Sequence, residues 1–544
     1  MKGDFSSLRN GHSRHYTGVL KQQGRVDLDA DWNEYVGIQE YLHNTVEKDV
    51  IGACGVPKHG GGFHVGWDAG AKDLTISSGR IYVDGILCEL DNETSYLSQP
   101  DFPGRPELDP AEGRTDLIYL DLWQRHVTAV EDPEIREKAL GGPDTTTRLQ
   151  TVCQIKSFRV EDRGDAGCAD EIQGWPPATG GCLSTREDPA QPSNDPCLIA
   201  PGGGYRGLEN RLYRVEVHRG TGPAGPATFK WSRDNGSVVF PIEEFVSGEP
   251  NRIRVSRLGH DQVLTLRRGD WVEVAGDDPE LNGEPALLTE IEDTEGARRE
   301  VILAGDVSGV SGQGHPKIRR WDQRETDDAT GLDEGARPIR EDEWLDLEDG
   351  VQILFKSGQT YRSGDYWTFA ARTATDNKLE RLVEAEPRGV AHHYCRLALV
   401  TWSEREDGTA SAEVQDCRNE FPPLTELPTG SSSCCTVTVG DGVTSKGDFT
   451  DIQAAVDAVQ GPGRVCVLPG EYKLDKPVTI HGVGLSVSGC GIQARIVGPE
   501  EGPAFQVDES FGIWLGSLYI EPGSPQGAIA VTDSTLVFVK DCFV

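Results

Sequence analysis

The sequence predicts a mainly β, multidomain protein with a helical arm at the N-terminus, sandwich- or barrel-like domains in the middle and a parallel β-helix at the C-terminal end. Three observations carry this. The chain has 544 residues, too many for a single hydrophobic core. Its 65 Gly and 32 Pro residues punctuate short Val, Ile, Leu and Tyr runs, the texture of many short strands. Beyond about residue 436, strand-like runs between Gly, Asp and Ser turns recur on a cycle of roughly 20–25 residues, the period of stacked coils.

The first element departs from the β pattern. Residues 1–55 read as a helical attachment segment, because Trp32, Tyr35, Val36, Leu42, Val46 and Val50 fall on one stripe at helical spacing. Asp29 or Asp31 is the expected N-cap, with Glu34 completing a capping-box pattern after Asp31. Asp27, Asp29 and Asp31 also begin like a calcium loop, but Trp32 stands where that loop needs Gly and Ile38 where it needs a bidentate Glu. The stripe needs a covering surface, from this chain or a neighbour. Trp32, Tyr35, Val36, Leu42 and Val46 are therefore the candidate assembly anchors, since aromatic residues dominate interface energetics.

A first β-rich domain is expected over 56–160. Residues 73–77 and 79–87 read as two alternating runs about a turn at Ser78-Gly79, and 117–123 as another strand. Residues 161–205 form an irregular stretch rich in Gly, Pro and Cys, expected as a contact loop or domain border; its Arg163-Gly164-Asp165 tripeptide is treated as chance. The chain has 13 cysteines and no CxxC pair, which argues against a zinc ribbon. Cys168, Cys182 and Cys197 leave three readings open: a disulfide with one thiol over, a metal site, or reduced thiols. Cys466, Cys490 and Cys542 read as small apolar packing groups. A second β-rich region is expected over 206–428, with strands such as 212–217, 228–231, 351–355 and 397–402. A Pro428-Thr429-Gly430 linker opens the last segment, 429–544, in which residues 448–459 form a short amphipathic helix that would cap the first coil. Phe543-Val544 follows a strand with no terminal cap, so the natural product is expected to continue.

The formal net charge of −36 disfavours nucleic acid and anionic membrane surfaces, both of which are bound through Lys and Arg. It leaves a structural divalent cation open, although no complete ligand pattern appears, and no other cofactor is expected. The N-terminus lacks the apolar core of a signal peptide, and no run approaches the ~18 apolar residues of a spanning helix. Cytoplasmic synthesis without membrane insertion is expected.

Two resemblances extend this reading. Residues Phe449 to Gly489, with Ile452-Gln453-Ala454-Ala455-Val456-Asp457-Ala458-Val459 and then Val465-Cys466-Val467-Leu468-Pro469-Gly470-Glu471-Tyr472, look like the first coils of pectate-lyase-like proteins, which implies a right-handed parallel β-helix over about 436–544. Most of residues 1–425 resembles an uncharacterised family associated with contractile injection systems and phage-like tails. The resemblance rests on Met1-Lys2-Gly3-Asp4-Phe5-Ser6, on Gln22 to Val26 with Leu28 to Glu34, on Tyr205 to Asn210 with Leu212 to Glu216, and on Phe229 to Ser237. It implies a structural, baseplate-associated or tail-appendage protein with baseplate, tube or sheath partners and a final location in a particle, outside the cell once that particle is released. A homo-oligomer, by analogy a trimer, and a cell-surface glycan as target are further expectations.

No active site is expected. GxSxG, HExxH and the Walker A pattern are all absent. Gly202 to Gly207 matches GxGxxG but leads into a strand rather than a helix, the wrong context for a dinucleotide. His392-His393 reads as packing or surface rather than as metal ligands. The enzyme alternative is polysaccharide cleavage on the β-helix, with Asp508, Glu509, Asp533 and Asp541 as candidate carboxylates, each of which also suits a turn.

Overall fold

In the computed structural model the described residues are 1–9, 12–160, 167–177, 180–188, 204–223, 225–259, 261, 264–324, 331–374, 378–404, 410–426, 435–459 and 461–544. They form two compact units, Met1–Thr425 and Glu426–Val544. Both are mainly β.

The first unit is built by nesting. Its outer module holds an antiparallel sheet in the order Ala410–Asp416, His393–Glu404, Thr115–Val127, Arg148–Val160. Glu420–Phe421, Cys54–Pro57, Gly79–Val83 and Ile86–Leu90 make a second sheet, and Val65–Asp68, Asp73–Ile76 and Thr94–Ser95 a third. Ile76, Ile81, Ile118, Leu120, Leu397 and Trp402 join them in one core. Within this module's span of chain lies another. Arg337–Pro338, Thr228–Ser232, Arg211–Arg219 and Tyr366–Ala371 form one sheet, and Trp344–Asp346, Val351–Phe355 and Leu183–Glu187 a second, around Tyr213, Phe229, Phe355 and Trp367. Between Ser232 and Arg337 the chain makes a closed barrel of Val239–Phe245, Arg252–Val255, Glu300–Leu303, Leu287–Glu295, Trp271–Ala275 and Lys317–Trp321.

This nesting corrects the contiguous division into 56–160 and 206–428. The strands His393–Glu404, Ala410–Asp416 and Glu420–Phe421 complete the sheets of the first domain. Alternation tells which face of a strand is buried, but not which distant strand lies beside it. A second correction concerns 79–87, which is not one run. Asp84 and Gly85 both have positive φ, 50° and 85°, and turn the chain into a tight hairpin between Gly79–Val83 and Ile86–Leu90.

The helix α1 runs from Asp29 to Ile51. Its N-cap is Leu28, extended and without a side-chain cap bond, rather than Asp29 or Asp31. Both carboxylates are engaged by the N-terminal segment: Ser6 donates to Asp29 from its amide at 2.8 Å and its hydroxyl at 2.5 Å, and Arg9 donates to Asp31 at 2.5 Å. A short helix α2, Asp278–Asn282, packs Leu281 beside Trp123 and Val152.

Cysteine pairing also differs from expectation. Cys168 is bonded to Cys417, with Cα atoms 5.2 Å apart, and Cys182 is a free thiol. Cys197 lies outside the described residues, as does Arg163-Gly164-Asp165. Cys54–Cys395 and Cys88–Cys153 are further disulfides of the first unit. Cys466 pairs with Cys435 in the second, and Cys490 is exposed, so neither is the packed thiol expected.

The second unit is a β-solenoid of parallel strands. One face stacks Val437–Val439, Gly463–Val467, Leu485–Val497, Trp514–Glu521 and Phe538–Lys540, and another stacks Val478–Val483, Phe505–Phe511 and Ile529–Thr532. Val465, Val487 and Leu515 form one inward ladder, Tyr472, Ile496 and Ile520 another. Trp514 pairs with Phe538 and Arg495 with Tyr519, a coil of 24 residues. Helix α3, Ile452–Ala458, packs Ile452, Ala455 and Val456 into this core, with Asp451 as its cap. Its Gln453 amide accepts from Thr479 N at 2.7 Å and donates to Thr479 O at 3.1 Å, so a side chain covers part of the strand edge.

Candidate functional site

Two features of the first unit are more than packing. One is a buried polar cradle that holds the N-terminal segment. Arg214 and Glu216 lie two apart on Arg211–Arg219, and Lys230 is the cross-strand neighbour of Glu216, 3.3 Å away. The barrel contributes Glu273, which pairs with Lys230 and accepts from Trp321 Nε1 at 3.1 Å. Into this setting comes Lys2, whose ammonium lies 3.0 Å from Glu216. The Met1 carbonyl accepts from Arg214 at 3.0 Å and Asn235 at 3.3 Å, Gly3 exchanges backbone and side-chain bonds with Asn235, and the Met1 amino group donates to Tyr366 Oη at 2.6 Å.

Burial alone would raise the carboxyls here, but Lys2, Arg214 and Lys230 outweigh it and hold Glu216 well below the usual range. Glu273, against the same opposing burial, is held at about 2 by Lys230 and Lys2. Burial, with Arg214 beside it, lowers the Met1 amino group, and burial lowers Lys2 against the pull of Glu216. Such a network survives only if every charge keeps its partner, because an ion left alone in the interior is very costly.

The cradle opens on a cavity of about 1530 Å³ that α1 also lines. Burial pushes His126 down to about 3 and His218 to about 4, so both are neutral at pH 7. His392 Nδ1 lies 2.7 Å from Asp121, whose other oxygen takes Lys156 at 2.7 Å, and His393 Nδ1 lies 2.9 Å from Asp84. Acyl transfer would need a hydroxyl or thiol on the second nitrogen of a carboxylate-paired histidine. Among the described residues no such bond to His392 or His393 is seen, and the Thr147 hydroxyl meets His126 Nε2 instead, at 2.9 Å. Nor, among them, do three or more His, Cys, Asp or Glu side chains group as metal ligands.

The other feature is α1 itself, which is oriented against its own amphipathicity. Only Ala30 and Ile38 are buried, and the face lining the cavity carries Asn33, Glu34, Glu40, Asn44 and Lys48. The sequence-predicted anchors are exposed: Trp32 by 63%, Val46 by 60%, and Tyr35, Val36 and Leu42 to a lesser degree. The hairpin at Asp84–Gly85 seats the helix. Asp84 is 2.5 Å from Lys48, and a Cβ on Gly85 would lie 2.1 Å from the Asn44 carbonyl oxygen.

The candidates Asp508 and Glu509 lie on Phe505–Phe511, which pairs with Ile529–Thr532 just before the candidate Asp533. Glu509, Asp533 and Asp541 occupy left-handed corners with φ of 45°, 45° and 56°, and Asp508 accepts from the Thr532 hydroxyl at 2.7 Å. Arg495 bridges Glu471 at 2.8 Å and Glu521 at 2.7 Å on neighbouring coils, a surface ladder that ties up both carboxylates. Gly202 and Gly203 lie outside the described residues, and Gly204 to Asn210 leads into Arg211–Arg219, a strand.

Lys2, Arg214, Glu216, Lys230 and Glu273 escaped the sequence analysis. The available signal was charge inside otherwise apolar strands: every residue of Thr228–Ser232 is buried, Lys230 included. The stretches Met1 to Ser6, Leu212 to Glu216 and Phe229 to Ser237, far apart in sequence, meet in the cradle. Neither the curated proteins nor the solved structures hold a match to this chain. Residues 1–171 and 178–400 match the model of one family, so the chain belongs to a family of unknown function, DUF6519.

Proposed function

We propose that the chain is a structural component of a contractile injection system or phage-tail-like particle, a baseplate-associated or tail-appendage protein rather than an enzyme. The observation that carries this reading is the outward apolar stripe of α1, which nothing in the described chain covers. Exposed large apolar side chains in a continuous row mark a surface meant for a partner. In this reading the helix is an attachment arm with Trp32, Tyr35 and Val36 as anchors. Unit 2 is, in the same reading, a right-handed, pectate-lyase-like β-helix. Sandwich-like packing in the outer modules, a trimeric state and tube, sheath or baseplate partners belong to the same proposal. No cofactor enters it.

Affinity purification of a C-terminally tagged chain from its native host, with mass spectrometry of the co-eluting proteins, tests it. Sheath, tube and baseplate proteins are the expected companions, and elution alone overturns the particle reading. A second reading, glycan binding without cleavage, is favoured by the Trp514 and Phe538 rings, 5.8 Å apart and both on the solenoid exterior. It predicts glycan retention with no released product.

A further inference from the structure

The N-terminal segment is tied to the rest of the first unit by far more chain than its position requires. Ser6 donates to Asp29 at 2.8 Å, so the residues on either side of the stretch 7–28 already touch. Connections in compact domains are mostly about 4–6 residues, and long ones without regular structure are usually functional. Within this one, residues 16–28 carry no helix or strand, and Leu20 and Val26 are 92% and 83% exposed. The six residues it carries are held in the opposite way. Lys2 is ion-paired in the interior with Glu216 at 3.0 Å, and the Gly3 carbonyl accepts from Asn235 at 3.0 Å. The tether's own bonds are few: Arg9 pairs with Asp31, the Leu8 carbonyl accepts from Arg388 at 2.6 Å and the Thr17 carbonyl from Gln39 at 3.4 Å. A densely bonded end on a long tether that is irregular over 16–28 is the layout of an exchangeable element.

We infer that Met1–Ser6 is an exchangeable arm, seated in its own cradle in the isolated chain and in the cradle of a second copy when copies assemble. Exchange replaces each contact by an identical one, so it costs no interaction, and a longer closed loop costs only slightly more entropy. Opened, residues 7–28 reach roughly 70 Å, against a diameter of roughly 55–60 Å for a compact unit of this length. The inference is independent of any particle, because it concerns two copies of one purified chain.

The test uses the pairing of Lys2 with Glu216, which a carbodiimide converts into an amide without adding a spacer. Full-length protein made in ¹⁴N and ¹⁵N forms is mixed, unfolded, refolded together and concentrated. The oligomer fraction is then cross-linked and digested. About half of the Lys2–Glu216 cross-linked peptides should carry mixed isotopes. A chain lacking residues 17–26 keeps the same fold, because its loop still closes on Asp29, and should give same-isotope peptides only. Oligomers with only same-isotope Lys2–Glu216 peptides, or a full-length chain that stays monomeric at every concentration, overturn the inference.

Discussion

Asp365 shows how one buried side chain sets a pH dependence for the whole first unit. Its carboxyl is 8% exposed and accepts the Arg362 amide at 3.3 Å. Burial pushes it up to about 7, and the Arg362 amide and charge offset only part of that. With the folded value above the unfolded one, the folded state holds its proton more tightly. The contribution of Asp365 to stability is full below about pH 4 and is lost as pH rises toward 7. Asp365→Asn keeps the acceptor and removes the penalty. Its gain over the parent chain in denaturant unfolding should grow by roughly 2–3 kcal/mol from about pH 5 to pH 8. A gain equal at both pH values would mean that Asp365 is ionised in the fold. Nothing in the sequence around Asp365 announces this. A carboxylate after Gly364 reads as a turn, and its burial shows only in the folded chain, where Asp365 stands just before the strand Tyr366–Ala371. The same holds for Lys2 and Glu216, whose pairing joins residues more than 200 positions apart.

At the scale of the element, α1 was legible as a helix because its apolar period is local, and illegible in orientation because that depends on what sits beside it. A stripe alone predicts burial somewhere. The structure turns it outward and leaves Trp32 63% exposed. Trp32→Ala should therefore change the stability of the isolated chain by no more than about 0.5 kcal/mol, as for other surface positions. Its effect on binding to whatever covers the helix should exceed ~2 kcal/mol, as for a buried aromatic anchor. A large loss of stability in the purified chain would show that the stripe is packed within it. What fixes the helix is the Asp84–Gly85 turn, which offers Asn44 a backbone with no side chain. Gly85→Ala combines positive φ with a collision against backbone and should cost at least ~2 kcal/mol. Faster amide exchange confined to α1 and the hairpin would identify the cause; an unchanged melting temperature would remove the turn from the argument.

At the scale of the molecule, the solenoid and the nested unit differ in how much of them local sequence can reveal. Each coil of the solenoid contacts the coil 22–28 residues away, so its period is written into the sequence and the strands from Val465 to Val539 could be anticipated. The outer module of the first unit pairs Thr115–Val127 with His393–Glu404, and two inserted modules lie between them in the chain. Such pairing carries a large closure cost and leaves no periodic trace. The disulfides fall on that weakness. Cys54–Cys395 and Cys168–Cys417 both tie an early strand or loop to the returning segment, across 341 and 249 residues. A cross-link over a long loop limits the unfolded chain most, so losing Cys54–Cys395 should cost about 2–4 kcal/mol. Because the barrel closes on its own strands, the loss should be uneven. In Cys54→Ser/Cys395→Ser, hydrogen exchange should rise along His393–Glu404 and Ala410–Asp416 while Trp271–Ala275 and Lys317–Trp321 keep their protection. Equal loss of protection in the barrel would mean that the modules unfold as one cooperative body and that the nesting is topological only.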